Sequence, residues 1–429
     1  MKVQDVMKIG GVGGAVISDA ALSQFLLDVA DKLDADGKRI LLIVPDATRT
    51  APIGTAFKTL HAALSARAKE INVIFALGTH PPMSEEAMCQ RLEITQEERQ
   101  RSYHAVQMFN HAWDDPNELH TLGAIPRSEI SDLSDALFSM DVPVQINRRV
   151  FDHDLLLIIG PVFPHEVVGF SGGNKYLFPG IGGPEILNFF HWLGAVVTNA
   201  RIIGSKWTPV RRVVDRAAAM VPVERKCLCL LVDSEGTHGA FFGTPEMAWD
   251  MASDASAQLH VVRKPRAFHS ILSCAPLMYD ELWVGGKCMY KLEPVLDDGG
   301  ELIIYAPHIH EVSVTHGKLI SQIGYHCRDY FLKQWDKFKD FPWGILAHST
   351  HVYGQGTYEN GVERPRAKVT LATGIDEATC RQINLGYRNW RTIRKEDFMD
   401  REDSGVLFVP KAGEQLYRLE SPPAWARER

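Results

Sequence analysis

Short apolar runs alternate with longer amphipathic stretches along most of this chain. Apolar runs of about four to eight residues predict buried strands, and longer segments with apolar residues at helical spacing predict helices. Before residue 262 the predicted strands are RILLIVPD (39–46), INVIFALG (71–78), DLLLIIG (154–160) and RKCLCLLVD (225–233), and the predicted helices are PIGTAFKTLHAALSARA (52–68), SEEAMCQRL (84–92) and GGPEILNFFHWLGAV (182–196). Strands that alternate with helices in this way are typical of parallel α/β sheets.

A second alternating series begins near residue 268. Its predicted strands are HSILSCA (269–275), GGELIIYAP (299–307), PWGILAHS (342–349), AKVTLAT (367–373) and GVLFVP (405–410), and its predicted helices are YDELWVGGKCMYKLEPVL (279–296) and KLISQIGYHCRDYFLKQW (318–335). The charged stretch RKPRAF lies between the two series, and 429 residues exceed the size at which one hydrophobic core stops growing. We therefore predict an α/β fold with two domains, at residues 1–265 and 266–429. Each is expected to be a mainly parallel sheet with helices on both faces, with the active site in the cleft between them.

The composition is that of an ordinary globular protein and argues against nucleic-acid and membrane partners. Hydrophobic residues make up 45% and charged residues 23% of the chain, as in ordinary globular proteins. A formal charge of -7, without Lys and Arg runs interleaved with aromatics, argues against a nucleic-acid partner. No apolar run reaches the roughly 18 residues of a membrane span, and the N-terminal segment has no signal-peptide pattern, so we expect a cytoplasmic protein without a membrane partner. Cys227 and Cys229 lie in an apolar run and are predicted to be core thiols.

Three polar segments directly follow predicted strands, the place where ligands of α/β sheets bind. The first contains Asp46, Thr48 and Arg49. A carboxylate, a hydroxyl and a guanidinium at a strand end can bind a phosphate or a carboxylate, because Arg offers a planar pair of donors. A turn that leads into a helix explains the same residues equally well.

The second segment is LGTHPP, at residues 77–82. Its prolines keep His80 out of a helix, at the tip of a loop where an imidazole can exchange protons near neutral pH. The alternative for a single loop histidine is an ordinary surface position.

The third segment runs from Gly160 to Glu185 and continues to His191. Its turn Ser171-Gly172-Gly173 before Lys175 offers backbone N–H groups and a cation, which suits a phosphate, although the spacing is not that of a P-loop. Seven glycines from 160 to 183 favour a functional loop, because glycine costs backbone entropy unless a close approach or a positive φ requires it. The spacing of His165, Lys175 and His191 matches no zinc motif.

The segments DATRTAP, GTHPP and PHEVVGFSGGNKYLFPGI resemble, in order and in spacing, the signature segments of the nickel-pincer lactate racemase family. The resemblance covers residues 40 to 310. It implies a pyridinium mononucleotide cofactor with two sulfur-containing arms that hold nickel and a covalent bond to Lys175. It also implies that His191, sixteen residues further on, is the fourth nickel ligand. Sulfur and imidazole donors in a square plane suit Ni(II).

The resemblance also implies the reaction, which is inversion of C2 of a 2-hydroxy acid by hydride transfer to and from the cofactor. His80 and His165 match the two acid-base histidines, one for each enantiomer. Arg49 matches an arginine of the substrate or cofactor pocket. Asp46, Thr48 and the turn Ser171-Gly172-Gly173 are then expected to hold the nucleotide phosphate or to order neighbouring side chains. Separate maturation proteins supply the cofactor in this family.

In the second domain, the resemblance makes Lys287 the partner of the substrate carboxylate, with Trp283 beside it. Apolar or small residues replace the usual Gln of that helix, so the pocket wall fits a side chain other than that of lactate. Further polar residues, His308, His310, His348 and His351, follow predicted strands. We therefore predict a larger polar 2-hydroxy acid, such as an aldonate, as the substrate.

Two other functions compete with this interpretation. A zinc-dependent hydrolase built on His80, His165 and Asp46 explains the histidines but gives Lys175 and its glycine loop no task. A non-catalytic nickel- or nucleotide-binding protein leaves the paired histidines unexplained. The sequence does not indicate an oligomeric state.

Overall fold

The computed structural model describes residues 6–11, 13, 15–48 and 50–421, and these residues form two compact units. The first unit comprises the described residues up to Phe163, together with Phe170–Leu187 and Arg211–Leu259. The second comprises Pro164–Gly169, Asn188–Val210 and the described residues from His260 onward. Two segments that precede residue 265 in sequence therefore belong to the second unit.

The first unit is built on a seven-stranded sheet. Its strands lie in the order Met7–Gly10, Thr237–Gly243, Glu224–Val232, Leu155–Pro161, Arg39–Val44, Glu70–Phe75 and Met108–Asn110. The last five strands are parallel to one another. The strand Thr237–Gly243 runs antiparallel to both of its neighbours, Met7–Gly10 and Glu224–Val232. The central strands are continuous apolar runs because both faces of the sheet are covered, as parallel sheets require.

The helices of the first unit supply the apolar cover. They are Asp19–Lys32, Ile53–Leu64, Glu85–Arg91, Gln96–Arg101 and Arg127–Leu133, joined by the greater parts of Pro209–Ala218 and Pro245–His260. Leu26, Phe57 and Leu60 are buried against Ile40 and Leu42 of the sheet in one core cluster. A separate hairpin pairs Leu119–Ile125 with Val142–Asn147, and short 3-10 helices occupy Arg148–Asp152 and Gly173–Tyr176.

The second unit contains a five-stranded sheet in which every neighbouring pair is parallel. The order is Gly386–Tyr387, Lys368–Thr373, Leu296–Ala306, Phe268–Cys274 and Val406–Val409. Two smaller pairs join Val261–Lys264 to Leu416–Leu419 and Gly356–Glu359 to Val362–Pro365. Two-residue strands lie at Pro164–His165 and Gly169–Phe170. The prediction of an α/β fold with mainly parallel sheets is confirmed.

The helices of the second unit are mostly short. They are the larger part of Pro184–Val197, then Asn199–Ile202, Leu282–Gly285, Lys287–Tyr290, Gly317–Ile323, Arg328–Leu332, Trp335–Phe338, Trp343–Tyr353 and Glu377–Gln382, with 3-10 turns at Glu293–Val295, Trp390–Thr392, Lys395–Asp397 and Glu402–Ser404. The long helix predicted over 318–335 is broken at Gly324, whose φ of +73° ends the helical path. The helix predicted over 279–296 is likewise divided into two four-residue helices and a 3-10 turn.

One predicted strand is wrong. Residues 343–349 belong to the helix Trp343–Tyr353, and Pro342 is its N-cap. Its residues from Ile345 to Val352 are all buried, so the segment shows no helical alternation and resembles a buried strand in sequence. His348 and His351 therefore lie within a buried helix instead of at the end of a strand.

Across the described residues, no helix combines the length and the apolar character that a membrane span requires.

Candidate functional site

In the first unit, Asp46 connects two of the predicted site residues. It lies two residues after the strand Arg39–Val44 and is 8% exposed. Its Oδ1 accepts hydrogen bonds from the backbone N–H (3.1 Å) and the Oγ1 hydroxyl (2.6 Å) of Thr48, and its Oδ2 lies 2.5 Å from Nδ1 of His80. The carboxylate therefore orients the imidazole and leaves Nε2 as the atom for proton exchange. Arg49 lies outside the described residues.

The loop of His80 adjoins the loop that carries Lys175. Gly78 has a φ of +57°, which glycine adopts readily, and its N–H donates to the carbonyl of Gly180 at 3.0 Å. The His80 N–H closes the turn onto the Leu77 carbonyl, also at 3.0 Å. The structure thus brings the segments GTHPP and FSGGNKYLFPGI together at one edge of the sheet.

The turn before Lys175 requires its glycines. Gly172 and Gly173 have φ values of +85° and +59°, and an added Cβ would lie 2.6 Å from Val162 Cγ2 and 2.9 Å from Trp249 Cβ, respectively. Within residues 171–180, every residue except Lys175 is buried. The turn therefore keeps this lysine partly accessible while the chain on both sides of it is packed.

The Ser171 hydroxyl organises the same turn. Its Oγ accepts a hydrogen bond from the Phe163 N–H at 2.9 Å and donates one to the Pro161 carbonyl at 3.1 Å. Ser171 is 4% exposed. The described contacts thus give it the ordering role that was one of the two expectations for this segment.

A buried polar layer supports the turn from behind, and the sequence did not reveal it. The Asn174 amide donates to Asp215 Oδ1 (3.0 Å) and Glu246 Oε1 (2.9 Å), and the Trp249 indole N–H donates to the Ser171 carbonyl (3.0 Å). The Arg211 guanidinium lies 3.9 Å from the centre of the Trp249 ring. Arginine is usually a surface residue of an amphipathic helix, so no sequence signal marks Arg211 as buried.

In the second unit, His165 is buried and held by its immediate neighbours. Its Nδ1 accepts from the Val167 N–H at 3.1 Å and lies 3.3 Å from Oε2 of Glu166. These contacts occupy Nδ1, so proton exchange with a ligand falls to Nε2. His191, on the helix Pro184–Val197, is half-buried and stacks on Phe190 with ring centres 5.1 Å apart. Both histidines belong to the unit that also contains the predicted substrate residues.

Trp283 stacks on His348. The ring centres are 3.8 Å apart at an interplanar angle of 11°, and the His348 Nε2–H donates to the Trp283 carbonyl at 2.9 Å. Burial lowers the pKa of His348 to about 3, so the ring is neutral near pH 7. No partner among the described residues contacts Nδ1 of His348 or either ring nitrogen of His351, which is 3% exposed. Burial lowers the pKa of His351, and the nearby His191 ring lowers it further.

Lys287 and His308 meet at Tyr279, a residue that the sequence analysis did not single out. The Lys287 ammonium lies 4.7 Å from the centre of the Tyr279 ring, and the His308 Nε2–H donates to the Tyr279 carbonyl at 3.0 Å. Lys287 follows Trp283 by four residues, a spacing that places both on one side of a helical path. Three of the four predicted substrate residues, Trp283, Lys287 and His308, therefore belong to the second unit, and the fourth, Arg49, lies outside the described residues.

A metal-ligand group lies elsewhere. Among the described residues, the one set of three or more His, Cys, Asp or Glu side chains with ligand atoms within 4.8 Å of one another is Asp233, Glu235 and His238. Asp46 and His80 do not belong to this set. Asp233 Oδ1 already accepts the backbone N–H groups of Glu235 and Gly236, and we read this set as a capped turn.

Comparison with known proteins gives a consistent result. Residues 16–203 match the family model described as the lactate racemase N-terminal domain. The chain is similar to the crystal structure of a protein from Thermotoga maritima, with 32% identity, a TM-score of 0.86, and coverage of 95% of this chain and 99% of that chain. It also resembles the lactate racemase apoprotein from Thermoanaerobacterium thermosaccharolyticum, with 18% identity, a TM-score of 0.67, and coverage of 92% and 88%. The second likeness shows the fold alone. None of the curated proteins compared with the chain matches it.

Proposed function

Because the chain belongs to the lactate racemase-like family, we propose that it is a racemase or epimerase that inverts C2 of a 2-hydroxy acid by hydride transfer to and from a nickel-pincer nucleotide attached to Lys175. One observation carries this proposal. An imidazole oriented by a carboxylate, His80 with Asp46, stands on a loop that is hydrogen-bonded to the glycine-rich loop of the partly accessible Lys175.

The residues present fit this cofactor. The glycine turn keeps Lys175 partly accessible while the residues around it are buried, and the His191 imidazole is a donor that suits Ni(II). When bound, the nickel-pincer nucleotide supplies the centre that accepts a hydride from C2 and returns it. The chain itself must then bind the substrate, orient it and exchange the hydroxyl proton.

His80 is suited to remove that proton. With its Nδ1–H donated to Asp46, a neutral His80 carries a lone pair on Nε2, and the carboxylate stabilises the imidazolium that forms when Nε2 accepts a proton. His165 is proposed as the acid-base group for the opposite enantiomer: its Nδ1 accepts a hydrogen bond, so the neutral ring carries its proton on Nε2, from which it can be donated to the substrate oxygen.

The substrate is proposed to be a polyhydroxy 2-hydroxy acid such as an aldonate. Lys287 provides a cation for its carboxylate. The second unit contains buried polar atoms without a partner among the described residues, namely His348 Nδ1, both nitrogens of His351 and the Tyr325 hydroxyl. An unsatisfied buried polar group costs about 1–3 kcal/mol, which hydrogen bonds to substrate hydroxyls would offset. A methyl side chain makes no such bonds.

Intact-mass spectrometry tests the cofactor assignment. The protein is isolated from a host that produces the cofactor, as wild type, as Lys175→Ala and as the matched control Lys287→Ala. We expect an added mass and bound nickel in the wild type and in Lys287→Ala, and neither in Lys175→Ala. An unmodified wild-type chain that still racemises 2-hydroxy acids, or an adduct that persists in Lys175→Ala, would contradict the proposal.

A further inference from the structure

The second unit contains a groove that the proposed function does not use. Its volume is about 510 Å³, within the range of roughly 300–1,000 Å³ that is usual for small-molecule pockets. Three arginines, Arg388, Arg394 and Arg401, line it together with the apolar side chains of Ile393 and Phe398. No residue assigned to the proposed active site lies in this lining.

The lining of the groove is rich in basic side chains, although the chain as a whole has a negative net charge. The chain has a formal charge of -7, yet the lining contains three arginines and a single carboxylate, that of Asp397. Arg401 donates to the backbone carbonyl of Asp397 at 3.2 Å and forms no ion pair with any described residue. Arg394 approaches the Asp397 carboxylate only to 3.8 Å. These two arginines therefore retain donors for an anion.

The third arginine is also incompletely neutralised. Arg388 donates to Glu301 Oε2 at 3.1 Å, but Glu301 is shared, because Lys368 lies 3.0 Å from its Oε1. A lysine and an arginine thus compete for one carboxylate at this side of the groove. Arg388 is thus only partly neutralised and adds to the positive charge of the lining, and positive concave surfaces raise the local concentration of anions.

The groove is held in shape by the core beneath it. Ile393 and Phe398 pack, with Trp390, against the buried cluster of Leu272, Cys274, Ile303 and Ala372. The two 3-10 turns Trp390–Thr392 and Lys395–Asp397 fix the backbone between the arginines. A site whose side chains are anchored in this way loses little entropy when a ligand binds.

We propose that this groove binds a phosphorylated small molecule of mononucleotide size, as a second ligand separate from the substrate. Guanidinium groups form paired hydrogen bonds with phosphate oxygens, so Arg394 and Arg401 hold the phosphate. The exposed part of the Phe398 ring and the Ile393 side chain provide an apolar surface for a planar ring or a carbon skeleton.

Titration calorimetry with AMP, adenosine and inorganic phosphate tests the proposal on the full chain. The variants are Arg394→Ala and Arg401→Ala. The matched control is Arg391→Ala, which lies on the same segment, stacks on Trp390 at 4.3 Å and does not line the groove. We expect saturable AMP binding that weakens with added salt, and at least about tenfold weaker binding in each groove variant, equivalent to ~1.4 kcal/mol. Arg391→Ala should bind like the wild type, and adenosine should not bind.

Three outcomes would overturn the proposal. They are no saturable binding of AMP, AMP binding that survives both groove substitutions, and phosphate binding as tight as that of AMP, which would leave the apolar surface without a role. Unfolding midpoints of the three variants show whether each is folded. Since the substituted residues Arg391, Arg394 and Arg401 are exposed, we expect midpoints close to that of the wild type.

Discussion

The Asp46 carboxylate holds the His80 imidazole by a contact of 2.5 Å between Oδ2 and Nδ1, while its other oxygen is occupied by Thr48. Both oxygens of the carboxylate are thus committed to neighbouring side chains. A carboxylate in this position fixes the tautomer of a histidine and stabilises its protonated form. We therefore propose Asp46 as a positioning residue that acts through His80, and it is poorly suited to hold a phosphate because both groups are anionic.

Replacement of this carboxylate by an amide tests that role. In Asp46→Asn, the hydrogen bond to Nδ1 can persist, but the charge that stabilises the imidazolium is lost. We expect kcat for the favoured 2-hydroxy acid to fall at least about tenfold with little change in KM, whereas His80→Ala should lose at least roughly a hundredfold. A matched control, Thr48→Val, removes one donor to Asp46 and should have a smaller effect. A fall confined to KM would contradict the positioning role.

The contact between Asp46 and His80, and that between the loops of His80 and Lys175, could be predicted from the sequence because these segments follow long apolar strands. Asp46 and His80 come just after the strands Arg39–Val44 and Glu70–Phe75, and the strand Leu155–Pro161 leads to the glycine-rich loop. Carboxyl ends of parallel strands meet at one edge, so strand order in the sequence sufficed to group the motifs.

Other features depended on tertiary packing that no local pattern records. The helix Trp343–Tyr353 is buried along most of its length, so its periodicity is absent and it was predicted as a strand. Arg211 and Trp249 support the glycine turn from distant segments, and either residue alone looks ordinary in sequence. Likewise, Tyr279 gains its importance only through its contacts with Lys287 and His308.

The glycine turn gives a prediction about stability. Gly172→Ala places a Cβ at a φ of +85° and within 2.6 Å of Val162 Cγ2. We expect a loss of roughly 2–4 kcal/mol in the free energy of unfolding, from about 1 kcal/mol or more of backbone strain and 1–3 kcal/mol of overpacking. Urea denaturation measures the loss. Gly37→Ala is the control for a positive φ without an overlap, because Gly37 has a φ of +69° with nothing within 4 Å, and it should lose only about 1 kcal/mol. Equal losses in the two variants would show that the overlap with Val162 is relieved without cost.

A buried histidine gives a prediction about pH. Burial lowers the pKa of His111 to about 4 against a weaker opposing effect of its hydrogen bond to the Gly182 carbonyl. Between pH 4 and the unfolded value of 6.5 the unfolded chain binds a proton that the folded chain does not, so stability should fall as the pH falls through this window. The contribution of this one group reaches roughly 3 kcal/mol at the low end.

His111→Gln removes the titrating ring but keeps a donor for Gly182 and an acceptor for the Asn147 amide. Urea denaturation of both proteins from pH 4 to 7 should show a shallower pH dependence in the variant. His104→Gln, a substitution at the surface, controls for the change of residue type. Parallel curves for the wild type and His111→Gln would contradict the buried, neutral state of His111.

The last prediction concerns the substrate. The neutral His348 ring, stacked on Trp283 with Nδ1 unpartnered among the described residues, can hydrogen-bond a substrate hydroxyl but gains nothing from a methyl group. Aldonates should therefore be epimerised with a higher kcat/KM than lactate, as polarimetry or retention of C2 deuterium would show with cofactor-loaded protein. In His348→Phe, which keeps a planar ring on Trp283, kcat/KM for the aldonate should fall about tenfold, or ~1.4 kcal/mol, while that for lactate changes less. Lys287→Ala should raise KM for both substrates, because both present a carboxylate, and high substrate concentration should restore part of the rate. Rapid racemisation of lactate without turnover of polyhydroxy acids would remove His348 from the pocket and leave the family reaction intact, since that reaction rests on Lys175 and the acid-base histidines.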